Sequence, residues 1–437
     1  MKSNPTVGLY TLGCKVSLYE TEAVAEAFAD AGFTVSPFDS VCDVYVINTC
    51  TVTAESDAKS RKYIRRAIRK NPDAAVIVMG CYSQRAPHEV AAIEGVGAVI
   101  GTADKLSAVK LARELLDGSS RPYVGVSSLH GADFEKMCVR HAPRTRAYVK
   151  IEDGCECKCT YCAISAARGP VRSKPKDEVI AEVEALYRGG TREIVLTGIE
   201  TGSYGADFDN KYDLADLISE LDARHSCDRI RLGSMAPELL GERFVSRIAG
   251  LSIIVPHFHV SMQSGSSAVL RSMKRRYTRE MALENIHRIR ALMGDVMITA
   301  DLMVGFPGES EEDFEDTLRF VREARLLDAH VFAYSRREGT PAAEYAEQIP
   351  EEDKRRRSAL LIEEVRRTRD LVLDGIVSSG KPLYTVLEER SGEYFSGHSD
   401  SYVEVRCTAL GHDRGDLVAV RPVSHKDGIV YGEAIKE

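Results

Sequence analysis

The sequence predicts an α/β protein in three parts: an amino-terminal open parallel α/β domain, a central partial (β/α)6 barrel and a small all-β carboxy-terminal domain. Strand-like apolar runs alternate with helical stretches over most of the chain, the pattern of parallel sheets covered by helices. A polar stretch rich in glycine, serine and proline interrupts that alternation once. After a long charged helix the pattern changes to short strands joined by glycine turns. At 437 residues the chain also exceeds what one hydrophobic core supports.

In the first part, residues 6–12, 44–47, 75–79 and 98–100 read as strands, and residues 20–31 and 58–69 as helices. The interruption falls at 118–146, where Gly118, Ser119, Ser120, Pro122, Gly131 and Pro143 accumulate, and it sets the first boundary. Six strand candidates follow, at 147–151, 193–197, 229–232, 257–262, 297–304 and 330–333, separated by helical sequence as in a partial barrel. A charged helix covers about 351–377, and residues 382–437 read as short strands with turns at Ser391-Gly392, Gly411-His412 and Lys426-Asp427-Gly428. The expected domains are 1–140, 141–374 and 375–437.

A composition of 44% apolar and 28% charged residues is that of a soluble protein, and no apolar run approaches the length of about 20 residues that spans a bilayer. The first thirty residues lack the zones of a secretory signal, so a cytoplasmic protein without membrane contact is expected. A net charge of -8 gives no global attraction to nucleic acid; any such contact has to come from local basic patches. Eleven cysteines in that setting point to metal ligation or catalysis instead of a disulfide framework.

Residues 154–164 read GCECKCTYCAI, so Cys155, Cys159 and Cys162 stand in C-x3-C-x2-C spacing directly after a predicted strand. Thiolates are the preferred protein donors to iron–sulfur clusters, and three of them leave one cluster iron open to a small-molecule ligand. Structural zinc prefers four ligands, often as two spaced pairs, and no second pair lies nearby. Cys157 is surplus to the spacing. With Tyr161 before its last cysteine, the motif resembles that of the radical S-adenosylmethionine (SAM) superfamily. The resemblance continues through Leu196-Thr197-Gly198-Ile199-Glu200 and through DLMVGFPGE at 301–309, although either glycine stretch alone is no more than a turn after a strand. It implies a 4Fe–4S cluster on Cys155, Cys159 and Cys162 whose open iron binds SAM. It further implies Tyr161 near the adenine, Thr197, Gly198 and Glu200 at the methionine end, and Gly305, Pro307 and Gly308 in support of the adenine.

A second set is spread wider: Cys14 in TLGCKVSLYET, Cys50 in INTCTVT and Cys81 in VMGCYSQ. Each lies at or just after the carboxyl end of a predicted strand, and such ends converge on one edge of an open parallel sheet. Spacing alone leaves open whether these are site residues or small buried hydrophobes, the usual fate of a cysteine. Their local contexts resemble the amino-terminal domain of the methylthiotransferase family, which implies a second 4Fe–4S cluster on Cys14, Cys50 and Cys81. Ser17 departs from the asparagine common there. Cys42, Cys138, Cys227 and Cys407 match no ligand position and read as structural. The family likeness covers nearly the whole chain, including 256–278, 333–343 and a carboxy-terminal stretch resembling the TRAM RNA-binding domain.

The resemblance implies an enzyme that places a methylthio group on the modified adenosine beside the tRNA anticodon. That ring carbon carries no acidic proton, so radical chemistry supplied by cofactors suits the task. The first cluster would generate the radical from SAM, and the second would carry sulfur that another SAM methylates. An electron donor such as flavodoxin or ferredoxin and a sulfur donor are implied partners. INTCTVTAESDAKSRKYIRRA most resembles the branch acting on N6-threonylcarbamoyladenosine at position 37; sister branches act on N6-isopentenyladenosine or on a ribosomal-protein aspartate. A non-catalytic iron–sulfur carrier or RNA-binding scaffold would have no use for the SAM-loop stretches.

Residues 59–70, KSRKYIRRAIRK, place Tyr63, Ile64, Ala67 and Ile68 on one helical face and Arg61, Lys62, Arg65, Arg66 and Arg69 on the others. Such a run serves either as a solvated face or as a phosphate contact. Arg168, Arg172 and Lys174, then Lys274-Arg275-Arg276 and Arg336-Arg337, are further phosphate candidates. His257 and His259 share a strand face and read as packing or hydrogen-bonding residues.

Overall fold

A computed structural model describes residues 4–119, 122–142, 144–408 and 411–435; Ser120 and Pro143 of the predicted boundary stretch lie outside them. The chain forms two compact units that do not follow sequence order. The first comprises Met1–Val139, Lys150–Lys174 and Ser335–Ala343, and the second Arg140–Val149, Pro175–Tyr334 and Glu344–Glu437.

In the first unit, strands β1 (Thr6–Thr11), β2 (Thr34–Ser36), β3 (Val44–Thr49), β4 (Ala75–Gly80), β5 (Val96–Ile100) and β6 (Tyr123–Gly125) form one sheet. Their order is β2-β1-β3-β4-β5-β6, and every neighbouring pair is parallel. All residues of β3, β4 and β5 are buried, which is why those segments read as unbroken apolar runs. The edge strands β2 and β6 escape the sequence reading because three largely exposed residues carry no apolar alternation. Strand order reverses between β1 and β3, and the crevice beyond the carboxyl ends of two such strands is where open α/β sheets bind ligands. Helix α1 (Lys15–Asp30) follows β1, and α2 (Ala54–Lys70) follows β3. The Thr53 side chain caps α2 by accepting from the Ser56 N–H, with acidic residues in its first turn and basic ones in its last. Ile64 and Ala67 of α2 pack with Tyr45, Ile47, Val76 and Val78 of the sheet, and Cys42 joins this core.

In the second unit, β7 (Arg146–Lys150) precedes the two-residue strands β8 (Glu152–Asp153) and β9 (Arg172–Ser173), which belong to the first unit. Then come β10 (Glu193–Thr197), β11 (Arg229–Leu232), β12 (Ser234–Met235), β13 (His257–Gln263), β14 (Met297–Val304) and β15 (Asp328–Ala333). They make sheets of order β11-β10-β7 and β12-β13-β14-β15, and an isolated parallel bridge joins Ile230 of β11 to Ile254, just ahead of β13. The six longer strands lie where the sequence places the units of a partial barrel. The helix Glu351–Ser379 leads into β16 (Leu383–Ser391), β17 (Tyr394–Ser399), β18 (Glu404–Thr408), β19 (Leu417–Lys426) and β20 (Ile429–Ala434), which close a small barrel. Val372, Leu373 and Ile376 of that helix share a core with Leu383, Leu387 and Phe395 of the barrel, and Cys407 is part of it. Cys227 is also buried, whereas Cys138 is exposed. No helix among the described residues is long and apolar enough to cross a membrane.

The small barrel docks onto the starts of the α/β strands. Arg231 grips the buried Glu193 carboxylate through two bonds of 2.8 and 3.2 Å and donates to the carbonyls of Ser399 and Asp400, both at 3.0 Å. Arg229 donates to the Tyr384 carbonyl at 2.8 Å, Arg146 pairs with Glu388 at 3.0 Å, and the His257 ring stacks on Tyr402 at 4.5 Å. Glu193, Arg229 and His257 each open their strand, so the barrel covers the end opposite the carboxyl edge, the end that serves stability in barrels of this kind. Burial alone would raise the Glu193 pKa, but Arg231 and Arg229 outweigh it and hold it at about 2.

Removing this carboxylate strands two buried guanidiniums, so Glu193→Ala is expected to lower unfolding free energy in denaturant by about 3–5 kcal/mol. A depressed folded-state pKa adds stability above the unfolded value of about 4.3 and loses it as pH falls towards 2. Acid unfolding curves should therefore be shallower over that window in Glu193→Gln than in the wild type.

Candidate metal centre

Strands β1, β3 and β4 are neighbours, and a cysteine leaves the carboxyl end of each. Cys14 caps the start of α1, Cys50 directly follows β3, and Cys81 opens the short helix Cys81–Arg85 after β4. Two close approaches bring them together. A Cβ added to Gly13 would stand 3.2 Å from the Cys50 Cβ, so the residue before Cys14 touches Cys50. Gly80 has φ +101°, and a Cβ there would lie 2.4 Å from Asn48 Oδ1 and 2.6 Å from the Thr49 carbonyl. Only glycine lets the end of β4 lie this close to the end of β3. Ser17 is buried beside Cys14, its Oγ 3.9 Å from the Cys14 Sγ, so the departure at this position falls next to a candidate ligand.

Cys14 is exposed while Cys50 and Cys81 are buried, which gives the thiols a dry floor and an open mouth. Burial pushes the Cys81 thiol up to about 11, partly offset by the Arg168 guanidinium, with Cys14 and Cys50 close enough to raise it further. Burial raises Cys50 too. Among the described residues, no three His, Cys, Asp or Glu side chains converge as ligands of a single ion. A cubane does not require that, because each thiolate takes its own iron; three thiols around one mouth fit a 4Fe–4S cluster with one open iron.

The C-x3-C-x2-C loop lies in the same compact unit. Gly154, at φ +93°, admits the close passage of residues 169–170: a Cβ on it would sit 1.9 Å from the Pro170 carbonyl. The Cys155 N–H donates to the Gly169 carbonyl at 3.0 Å, and the Cys162 N–H to the Cys159 carbonyl at 3.1 Å. Lys158 takes the left-handed conformation, turning the chain between Cys155 and Cys159. The Ile164 N–H donates to the Cys162 Sγ at 3.3 Å, a contact that favours thiolate. Cys159 is buried; Cys155, Cys157, Tyr161 and Cys162 are partly so.

Between the two sets stands Arg168, a residue whose role sequence reasoning missed. It is fully buried, its Nε donates to the Cys81 Sγ at 3.1 Å, and its Nη atoms grip Glu20 at 2.5 and 3.2 Å. Asp153 lies 3.2 Å away, and Lys150 bridges Asp153 and Glu20 at 2.6 and 2.8 Å. Burial would raise both carboxyls, but Arg168, Lys105 and Lys150 hold Glu20 well below the usual range, and Lys150 and Arg168 hold Asp153 at about 2. Arg168 is therefore not available to phosphate, contrary to the sequence expectation. The same correction applies to Lys174, which is buried against the Met137 carbonyl at 2.8 Å, and to Arg172, which donates to the Arg168 carbonyl at 3.0 Å. Arg337 is corrected likewise: it is buried and binds Thr51 Oγ1 at 2.8 Å and Asp57 at 2.7 Å. Glu20, inside an otherwise amphipathic α1 and buried, is the one sequence signal that a cation had to be waiting for it.

The predicted SAM stretches lie in the second unit. Thr197 ends β10 and is buried, Gly198 follows partly exposed, and Glu200 accepts from the Ala236 N–H at 3.0 Å. After β14, the Glu309 carboxylate accepts from the Gly305 N–H at 2.7 Å and from Arg357 at 2.6 Å, tying the loop to the long helix. Pro307 and Gly308 line a cavity of about 470 Å³ with Asp313, Tyr345 and Glu347. His257 and His259 both bond the Thr299 hydroxyl, at 2.9 and 2.8 Å, as hydrogen-bonding residues. Lys62, Arg65 and Arg69 of α2 are exposed and three and seven residues apart, so they form one stripe; Arg61 and Arg66 pair with Glu89 and Asp39. Lys274, Arg276 and Arg336 are exposed as well.

Residues 149–321 match the radical SAM superfamily, and residues 6–101 match uncharacterized protein family UPF0004. Among curated proteins, the chain is 40% identical to the threonylcarbamoyladenosine tRNA methylthiotransferase MtaB of Bacillus subtilis (strain 168), over 98% of this chain and 95% of that one. The chain belongs to the methylthiotransferase family of radical SAM enzymes. This methylthiotransferase is also 33% identical to the MtaB of Thermotoga maritima over 97% of its own length and 96% of the relative. It is 35% identical to the tRNA-2-methylthio-N(6)-dimethylallyladenosine synthase of Carboxydothermus hydrogenoformans over 81% and 82%. A likeness to the radical SAM methyltransferase TsrM of Kitasatospora setae, with TM-score 0.57 and 17% identity over 78% of this chain and 77% of that one, reflects the shared fold.

In denaturant unfolding, Arg337→Ala is expected to cost about 3–5 kcal/mol because it leaves the Asp57 carboxylate without its partner. Lys62→Ala and Arg65→Ala, on the exposed stripe, should stay within about 0.5 kcal/mol of wild type.

Proposed function

We propose that this methylthiotransferase converts N6-threonylcarbamoyladenosine at tRNA position 37 into its 2-methylthio derivative. What carries the reading is the presence of two three-cysteine sets in one compact unit, one on adjacent strand ends at a topological switch point and one in the C-x3-C-x2-C loop. The likeness to relatives named for this nucleoside, over nearly the whole chain, supports the choice of substrate. Cys155, Cys159 and Cys162 would hold the first 4Fe–4S cluster, and Cys14, Cys50 and Cys81 the second. When bound, the clusters and SAM supply the radical that activates the ring C–H bond and the methylthio group that replaces its hydrogen.

The chain's own residues bind, orient and exclude water. Burial of Cys50, Cys81 and Cys159 keeps water from the inner ligands, and the exposed Cys14 leaves access for substrate. Tyr161 is assigned to the SAM adenine. Thr197, Gly198 and Glu200 are assigned to the methionine end of SAM, and Gly305, Pro307 and Gly308 to the adenine, with Glu309 and Arg357 fixing that second loop. We take the functional division as 1–140 for the second cluster, 141–374 for the radical SAM core and 375–437 for a TRAM-like barrel that binds RNA. The α2 stripe is assigned to the tRNA backbone, working locally against a net charge of -8. The cytoplasm, a flavodoxin- or ferredoxin-like electron donor and a separate sulfur donor complete the reading.

Mass spectrometry of tRNA nucleosides from cells lacking the protein should show threonylcarbamoyladenosine without its 2-methylthio form, restored by wild type and not by Cys50→Ala. Loss of the methylthio group from isopentenyladenosine would overturn the substrate, and unchanged tRNA would direct attention to the ribosomal-protein aspartate. In binding titrations across salt concentrations, Lys62→Ala, Arg65→Ala and Arg69→Ala should each reduce the salt slope by about 1.

A further inference from the structure

We infer that Arg168 is a positioning residue that raises the reduction potential of the cluster held by Cys14, Cys50 and Cys81 and ties that cluster mechanically to the C-x3-C-x2-C loop. The inference rests on the second cluster proposed above. Arg168 ends the helix Ile164–Arg168, which begins two residues after Cys162, so its backbone belongs to one cysteine set while its Nε–H donates to the Cys81 Sγ of the other at 3.1 Å. The guanidinium has no rotational freedom, since two bonds to Glu20 and the neighbouring Asp153 fix its plane in a fully buried site. The Gly169 carbonyl, one residue on, accepts from the Cys155 N–H, so a shift of Arg168 moves ligands of both sets.

Charge gives the direction. Among the described residues, Lys105, Lys150 and Arg172 join Arg168 in ion pairs with the carboxylates of Glu20, Glu135 and Asp153. Of these cations, Arg168 is the one that meets a sulfur among the described contacts, with its Nε–H at 3.1 Å from the Cys81 Sγ. A cluster gains one negative charge on reduction, so a cation and an N–H donor at a ligand sulfur favour the reduced state. Lysine preserves the charge but not the planar fork that reaches sulfur and carboxylate together.

The test is an electron paramagnetic resonance redox titration with dithionite on reconstituted full-length protein. The background is Cys155→Ala/Cys159→Ala/Cys162→Ala, so that any cluster present is the second one, and iron and sulfide are counted first. If this parent holds no cluster, the functional reading fails before Arg168 is tested. With a cluster present, Arg168→Gln should lower the midpoint potential by at least a tenfold change in the reduction equilibrium, about 59 mV for one electron, and Arg168→Lys should fall between. A loaded Arg168→Gln protein with an unchanged potential overturns the inference. If Arg168→Gln does not retain iron, Arg168→Lys decides by the same criterion; if neither retains it, Arg168 is a structural residue only and the inference is overturned.

Discussion

A guanidinium removed from water has to be matched in charge and in hydrogen bonds, and the architecture of the first unit is organised around one that is. Glu20 comes from α1, Lys150 and Asp153 from the segment around β8, Arg168 from the helix after the cysteine loop, and Cys81 from the end of β4. Arg168 meets Glu20, Asp153 and Cys81 at once, and Lys150 meets both carboxylates. Segments more than a hundred residues apart are thereby locked into one compact body that contains all six candidate cluster ligands.

Topology supplies the rest of the centre. A parallel sheet delivers its carboxyl ends to one edge, and the reversal between β1 and β3 opens a crevice there. Placing a cysteine at the ends of β1, β3 and β4 is enough to gather three thiols from a span of 68 positions, Cys14 to Cys81, without a local motif. Gly80 then permits the last of them to lie against the end of β3. In the second unit the SAM stretches also leave carboxyl strand ends, while the small barrel is clamped to the strand starts.

The long strands were legible from their apolar runs between turn and helix signals: β10, β11 and β14 have the predicted bounds even though Glu193, Arg229, Arg231 and Asp301 interrupt those runs. The edge strands β2 and β6 were not legible, since three exposed residues hold no pattern. Both cysteine sets were found in the sequence, the compact one by spacing and the dispersed one by family likeness. Where the reading failed was in the meaning of arginine. Arg168 and Arg337 look like surface cations in a one-dimensional sequence, and only the fold brings them the carboxylates of Glu20 and Asp57. Arg357, which fixes the loop after β14 through Glu309, lay hidden in a long charged helix for the same reason.

The docking of the small barrel has a consequence for how its surface can diversify. Arg229 and Arg231 bond it through the main-chain carbonyls of Tyr384, Ser399 and Asp400, which every amino acid possesses. Only Glu388, His398 and Tyr402 add side chains to that grip among the described residues, where they meet Arg146 and His257, so replacements elsewhere on the outer face of the barrel leave the module seated in the same orientation.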